Sequence, residues 1–197
     1  MPLTKSSDAS IRVQSLAVTD RALFSPYLQQ ELRSDHAGET GAVYIYKGIT
    51  AIARLLNDKE LISFAQNHGA TEAEHLKLME TVLTTDLQSR LLLLWRIAGW
   101  LIGAIPALFG RKAVYATIAA VETFVEQHYQ AQIDYLQSSR SHDGLLKLLQ
   151  RCQADEIDHK HEAAIAHGGS KPGFLLRAWC CLMGIGSRGA VAVCRRI

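Results

Sequence analysis

Apolar residues recur at intervals of three and four along nearly the whole chain, with Gly and Pro sparse inside the long periodic segments. This pattern predicts helices at roughly 27–56, 59–84, 90–105, 112–138, 143–167 and 174–194. Breaks are expected at Asn57-Asp58, Thr85-Asp86, Pro106 to Gly110, Ser138 to Asp143, and Gly168 to Gly173, where turn formers cluster. No stretch shows the alternation of a strand. The expected fold class is all-α.

Polar residues inside the periodic segments change this picture from a generic helical protein to a metal protein. Glu39 is followed 33 residues later by Glu72, and Glu122 is followed 34 residues later by Glu156. The second Glu of each pair opens an E-x-x-H: Glu72-Ala-Glu-His75 and Glu156-Ile-Asp-His159. Residues three apart share a helix face, so each motif offers an oxygen and a nitrogen to one point. The chain thus reads as a duplicated helical hairpin, with Glu on the first helix and E-x-x-H on the second. Four carboxylates and two imidazoles from four helices are the ligand set of ferritin-like di-iron and di-manganese bundles. Hard oxygen and imidazole donors without thiolate favour iron or manganese, and oxygen chemistry favours iron. The expected cofactor is two iron ions per chain.

Several neighbours resemble ligands without fitting. Asp158 and His161 are spaced by three but lie on another face from Glu156. Glu74 and Glu126 read as solvated or supporting groups, although Glu126 lies one turn from Glu122 and could compete with it. Asp155 is placed to hydrogen-bond His75 from the neighbouring helix and fix its tautomer. Gly184-Ile-Gly186-Ser-Arg-Gly189 matches G-x-G-x-x-G, but no strand precedes it and the chain ends eight residues later. Those glycines are expected to serve close helix packing or a bend.

Charge and hydropathy add a surface. Between Leu87 and Val121 there are four basic residues (Arg90, Arg96, Arg111, Lys112) and no acidic one; between Gly168 and Ile197 there are five (Lys171, Arg177, Arg188, Arg195, Arg196) and again no acid. Both stretches are strongly apolar, and apolar plus basic suits a surface that meets anionic lipid. Leu91 to Phe109 could reach about 28 Å as a helix, close to a bilayer core. A single crossing would nevertheless put the two hairpins on opposite sides of the membrane and abolish the shared site. The segment is therefore expected to return to the same side, as a crossover lying along the lipid, with Trp95, Trp100 and Trp179 at interfacial depth.

The rest of the composition mostly excludes. The 197 residues are 48% hydrophobic and 20% charged with a formal net charge of +2, and no Lys/Arg run carries interleaved aromatics, so no nucleic-acid partner is expected. Cys152, Cys180, Cys181 and Cys194 form no C-x-x-C, which leaves no zinc or redox motif and suits a reducing compartment. Residues 1–20 lack the apolar core of a secretion signal and read as a flexible tail ahead of one domain at 21–197.

One run is more specific than the paired motifs. Leu32-Arg33-Ser34-Asp35-His36-Ala37-Gly38-Glu39-Thr40-Gly41-Ala42 resembles the opening signature of the demethoxyubiquinone hydroxylase family. Glu72-Ala73-Glu74-His75, Val121-Glu122, His128-Tyr129 and Asp155-Glu156-Ile157-Asp158-His159 resemble its later motifs in matching order, over about residues 28 to 197. The resemblance implies a ferritin-like four-helix bundle with two additional apolar, membrane-facing helices. It implies a monooxygenase that uses O2 to hydroxylate the ring of a polyprenylated methoxy-benzoquinol in ubiquinone biosynthesis. By carry-over Glu39, Glu72, His75, Glu122, Glu156 and His159 bind iron, with Glu72 and Glu156 bridging, and His128 and Tyr129 assist proton or electron transfer. Thr123 stands where some relatives have a second Glu, which favours Glu122 as the ligand. Implied partners are a lipid-borne quinone, the membrane surface, other ubiquinone-biosynthesis proteins and further subunits in a homo- or hetero-oligomer. The implied location is the cytoplasmic face of a bacterial inner membrane, or the matrix face of the mitochondrial one in a eukaryote. The alternatives are a rubrerythrin-like peroxidase and an iron-storage ferroxidase; the first would want a four-cysteine site, the second a polar exterior.

Overall fold

The computed structural model describes residues 24–169 and 172–197, and the expected N-terminal tail over residues 1–20 lies outside them. The described residues form six α-helices and no strand: α1 Pro26–Leu55, α2 Lys59–Val82, α3 Leu92–Leu108, α4 Arg111–Ser139, α5 Asp143–His167 and α6 Phe174–Cys194, with a short 3-10 turn at Thr85–Leu87. Local chemistry sets the boundaries. Ser25 caps α1 through a 3.3 Å bond from the Leu28 N–H, with Pro26 at the first position. Asp58 caps α2 through a 3.0 Å bond from the Leu61 N–H. Gly168, at φ +75°, ends α5 in the left-handed region that glycine tolerates.

The boundary that differs most from the sequence expectation is the end of α3. α3 does not stop at Ile105 but runs through Pro106 to Leu108. Proline in the final turn forfeits only the bond to the carbonyl four residues back. The reversal into α4 is made instead at Gly110, with φ +93°.

The helices pack in pairs. α1 lies against α2, α4 against α5, and α2 meets α5, while α3 and α6 both rest on α1 and α4. The α1–α3 contact is backbone against backbone. A Cβ on Gly99 would fall 2.3 Å from the Gly41 carbonyl oxygen, and one on Gly103 would fall 1.9 Å from that of Ile45. Glycine is required there because any side chain would force the helices apart. By contrast Gly184, Gly186 and Gly189 of α6 face open space, so of the two roles expected for them, close packing or a bend, they do not serve the first.

Buried apolar residues form two clusters. One holds Ile45, Ile49, Leu61, Val114 and Ile118; the other holds Leu28, Leu32, Met79, Leu136 and Leu149. On each of α1, α2, α4 and α5 the buried carboxylate lies between the residues of the two clusters in chain order. The polar layer is thus closed off by apolar packing at both ends.

The outer helices leave apolar surface uncovered: Leu93, Ile97, Trp100, Leu101 and Leu108 on α3, and Phe174, Leu175, Leu182 and Ile185 on α6. No helix among the described residues is long and apolar enough to cross a membrane. Of the three tryptophans expected at this surface only Trp100 is exposed. Trp95 is half-buried against Gly41, and Trp179 turns inward, donating to Thr117 Oγ1 at 3.0 Å.

Candidate metal centre

The six residues singled out from the paired motifs converge in the interior. Glu39, Glu72, His75, Glu122, Glu156 and His159 are all buried, His159 least so at 7% exposure. They divide into two groups whose ligand atoms lie within 4.8 Å of one another: Glu39, Glu72, His75 and Glu156 in one; Glu72, Glu122, Glu156 and His159 in the other. Either group could hold a metal ion, and Glu72 and Glu156 belong to both.

Several atoms in this layer find no partner in one another. Glu39 Oε2, Glu72 Oε1, Glu156 Oε2 and His159 Nδ1 are buried with no hydrogen-bond partner among the described residues. His159 Nδ1 nevertheless lies 3.0 Å from Glu72 Oε1 and 3.3 Å from Glu156 Oε2. A nitrogen and carboxylate oxygens this close, without hydrogen-bond geometry, are donors aimed at a common point rather than at each other. Buried polar atoms without partners are costly, and a cation is the group that satisfies oxygen and imidazole lone pairs together. The residues present therefore fit a divalent metal.

Electrostatics lead to the same conclusion. Burial, then the neighbouring Glu156, pushes the Glu39 carboxyl up to about 7. Burial, then the Glu156 charge, pushes Glu72 and Glu122 well above the ordinary carboxylate range. Burial also acts upward on Glu156, but the close imidazoles of His159 and His75 outweigh it and hold that group down to about 2. Burial acts downward on His75, yet its bond to Glu156 and the Glu39 charge lift it to about 9. Four carboxylates crowded in a dry layer need positive charge, which protons supply when a metal does not.

The surrounding residues sort clearly. Asp155 accepts from His75 Nε2 at 3.0 Å, as its place before Glu156 suggested, and His75 Nδ1 meets Glu156 at 3.0 Å. Asp158 and His161 are both exposed and belong to neither ligand group. Glu74 lies near Arg151, and Glu126 turns to Lys160 rather than competing with Glu122. Thr123 is exposed, its hydroxyl bonded to the Ala119 carbonyl at 2.6 Å, so that position points away from the layer. Tyr129 donates a short hydrogen bond to Glu39 Oε1. His128 reaches none of the six; its Nε2 lies 2.9 Å from Asp35 Oδ1 and 3.1 Å from Ser34 Oγ.

Sequence reasoning missed two residues. Tyr46 donates to Glu122 Oε1 at 3.4 Å, mirroring the bond from Tyr129 to Glu39. The signal was present: a Tyr stands seven residues after each first-helix Glu, at Tyr46 and Tyr129. Two helical turns carry each hydroxyl to the carboxylate of the opposite helix. His68 is also buried, its ring 4.3 Å from that of His159 and its Nε2 3.0 Å from Glu162. No spacing rule marked it.

A cavity of about 460 Å³ opens from this layer. Glu39, Glu72, Glu122 and Glu156 line its inner end; Leu94, Trp95 and Ile102 of α3 and Met183, Ala190 and Val193 of α6 line its walls. Gly186 and Gly189 also face it, and their missing side chains keep it wide. The geometry is an apolar passage that ends on acidic donors.

Comparisons with known proteins agree. The model of the family described as ubiquinone biosynthesis protein COQ7 matches residues 26–194. The chain is 30% identical over 175 residues to a Caenorhabditis elegans protein named NADPH-dependent 3-demethoxyubiquinone 3-hydroxylase, mitochondrial, covering 86% of this chain and 90% of that one. It is 30% identical over 162 residues to the human protein of the same name, covering 80% and 73%. A Legionella pneumophila protein named 3-demethoxyubiquinol 3-hydroxylase is 34% identical over 135 residues, covering 67% of this chain and 61% of its own length.

Proposed function

The chain belongs to the ubiquinone biosynthesis protein COQ7 family, and from that premise we propose that it is a di-iron monooxygenase that hydroxylates the ring of a polyprenylated methoxy-benzoquinol, a demethoxyubiquinol. The observation that carries the reading is the pair of buried ligand groups sharing Glu72 and Glu156, set at the inner end of an apolar cavity. On this reading residues 21–197 are one domain, and α1, α2, α4 and α5 are the four-helix ferritin-like bundle. Two iron ions held there would supply dioxygen activation by redox chemistry that amino acids lack. Glu39, Glu72, His75 and Glu156 would hold one, and Glu72, Glu122, Glu156 and His159 the other.

The chain's own residues then divide the remaining work. Asp155 orients the His75 ring from outside the layer, and Tyr129 and Tyr46 hold Glu39 and Glu122 in place. The apolar walls exclude water and accept a greasy substrate. The exposed apolar faces of α3 and α6, with Arg96 and Arg188 on the same helices, rest on lipid, so that a quinone enters from the bilayer between them. The corresponding location is peripheral, on the cytoplasmic face of a bacterial inner membrane or the matrix face of the mitochondrial one. Assembly with further copies or with other ubiquinone-biosynthesis proteins would cover what lipid leaves exposed. A rubrerythrin-like peroxidase or an iron store leaves the apolar passage without a purpose.

The test is direct. Iron-loaded protein given a short-tailed demethoxyubiquinone, NADPH or a chemical reductant, and labelled dioxygen is expected to place one labelled atom on the ring. Label arriving from water, or peroxide consumption without a ring product, would overturn the reading. Binding to anionic vesicles should weaken with salt but persist in part, because apolar burial is not screened.

A further inference from the structure

α1 carries three glycines in its interior, Gly38, Gly41 and Gly48, and glycine there costs helix stability relative to alanine. Two of them have a packing reason. A Cβ on Gly48 would fall 2.2 Å from the Trp100 carbonyl oxygen, and one on Gly41 would fall 3.2 Å from the Trp95 ring. Gly38 has no such reason. A Cβ built there meets no atom within 4 Å among the described residues, and its φ lies outside the left-handed region. The space it leaves belongs to the cavity. Gly38 lines that cavity, and so do Ser34, Asp35, Gly41, Ala42 and Ile45, which share its helix face at three, four and seven residues' distance. A side chain at position 38 would therefore enter the cavity, into room that is open.

The next residue, Glu39, stands at the cavity's inner end and belongs to one of the two ligand groups. The gap over Gly38 thus lies one residue from a donor of the metal layer, where the reacting part of an occupant has to sit. Resting on the function proposed above, we infer that Gly38 is a specificity-determining residue: its missing side chain makes room for a flat, substituted ring against α1, beside the metal layer. The narrower tail lies farther along the apolar walls. A methyl group at position 38 would take the place of the ring's edge and hold the ring away from the donors. An unbranched chain is thinner than a ring and can shift along the walls, so it would be little affected. The helix forgoes the stability that alanine would give at this position in order to keep the clearance.

The experiment measures binding, stability and metal content, not turnover. Iron-loaded full-length protein, without dioxygen or reductant, is titrated calorimetrically with a decyl-tailed methoxy-methyl-benzoquinone and with dodecanol, an unbranched probe that has no ring. Gly38→Ala should raise the melting temperature by about 2 °C, because it replaces a helix glycine without a clash. It should keep its iron and bind the ring probe about tenfold more weakly, the usual effect of adding a methyl group to filled space. Dodecanol should bind as before. Gly38→Leu should abolish binding of the ring probe. Gly184→Ala is the control, at a helix glycine that also faces open space but lies outside the cavity; it should raise the melting temperature and leave both probes unchanged. Unchanged ring affinity in both Gly38 variants, or equal weakening of ring probe and dodecanol, overturns the inference. So does a Gly38→Ala protein that melts lower or loses iron, since Gly38 would then serve packing or the metal layer. Each of these results leaves the proposed oxygenase standing. Failure of the unaltered protein to bind the ring probe removes the cavity as a ring site and takes the substrate reading with it.

Discussion

The two helical hairpins carry the same parts at nearly the same spacing, yet they support their imidazoles differently. In the first hairpin His75 is held at both nitrogens, by Glu156 through Nδ1 and by Asp155 through Nε2. In the second, His159 Nδ1 has no hydrogen-bond partner among the described residues, and its ring lies against buried His68, which reaches the exposed Glu162. Position 71, the counterpart of Asp155, is Thr71. The duplicated pattern therefore gives two candidate metal positions of similar composition but unequal support. The His75 side is preorganised by a carboxylate, and the His159 side is braced by ring contacts with His68 and Tyr46.

The largest expected effect tests what the halves share. Glu72→Ala or Glu156→Ala removes a carboxylate common to both groups, so iron should fall from two per chain toward none, with loss of activity and a lower melting temperature. Glu39→Ala and Glu122→Ala should each leave part of the metal bound. His161→Ala should leave iron content unchanged. Near-full iron by elemental analysis in the Glu72 variant would sink the shared-carboxylate scheme.

The asymmetry is tested next. Asp155→Asn should weaken iron binding by roughly 10- to 100-fold, the usual consequence of losing the partner that orients a metal-ligating His. Thr71→Ala should have no such effect, and His68→Phe, which keeps the ring contact, should cost little. Equal losses from Asp155 and Thr71 substitutions, measured by competition with a chelator, would break the comparison.

Metal-free protein should show the electrostatic stress of the layer. Burial holds Glu39 up to about 7, so the folded chain keeps a proton that the unfolded chain has lost above about 4.5. Its stability should therefore fall as pH rises from 4.5 through 7. His75, at about 9 against an ordinary 6.5 because its carboxylate partners outweigh burial, adds a further loss between those values. Glu156, held down to about 2, contributes stability that disappears only as pH falls below about 4.5 toward 2. Melting temperatures of metal-free protein should thus decline from about pH 5 to about pH 9, and iron should flatten the decline by replacing protons. A flat metal-free profile would refute the crowding of unpaired carboxylates.

The smallest effect concerns the tyrosines. Tyr129→Phe should slow turnover several-fold with iron retained, and Tyr46→Phe, whose bond is longer at 3.4 Å, should do less. The reverse order would show that the second hairpin, not the first, is the more constrained.

Much of the molecule is legible before any packing is known. Helix positions follow from apolar periodicity and turn formers, and E-x-x-H places two ligands on one face because the helix repeats every 3.6 residues. The seven-residue spacing from Glu39 to Tyr46 and from Glu122 to Tyr129 is equally readable, although it does not say which carboxylate each hydroxyl will meet. The course of α3 past Pro106 is not readable, because a proline in a last turn is tolerated only where the next residues can reverse the chain, as Gly110 does.

By itself, the sequence determined which side chains could share a helix face, and hence the six candidate ligands and the place of Asp155 beside them. The tertiary structure decided which atoms remain unsatisfied and which lie open. Gly99 and Gly103 are contact points while Gly186 and Gly189 are open space, and nothing local distinguishes them. Trp95 and Trp179 turn inward although their neighbours suggested a surface. Asp35 Oδ2 is unpaired only because donors on another helix, Gln132 and His128, both reach Oδ1. The physical reason is range. Periodicity is a property of a few consecutive residues, whereas hydrogen-bond partnership depends on atoms that lie on distant stretches of the chain, 97 residues apart for Asp35 and Gln132, until packing brings them to 2.8 Å.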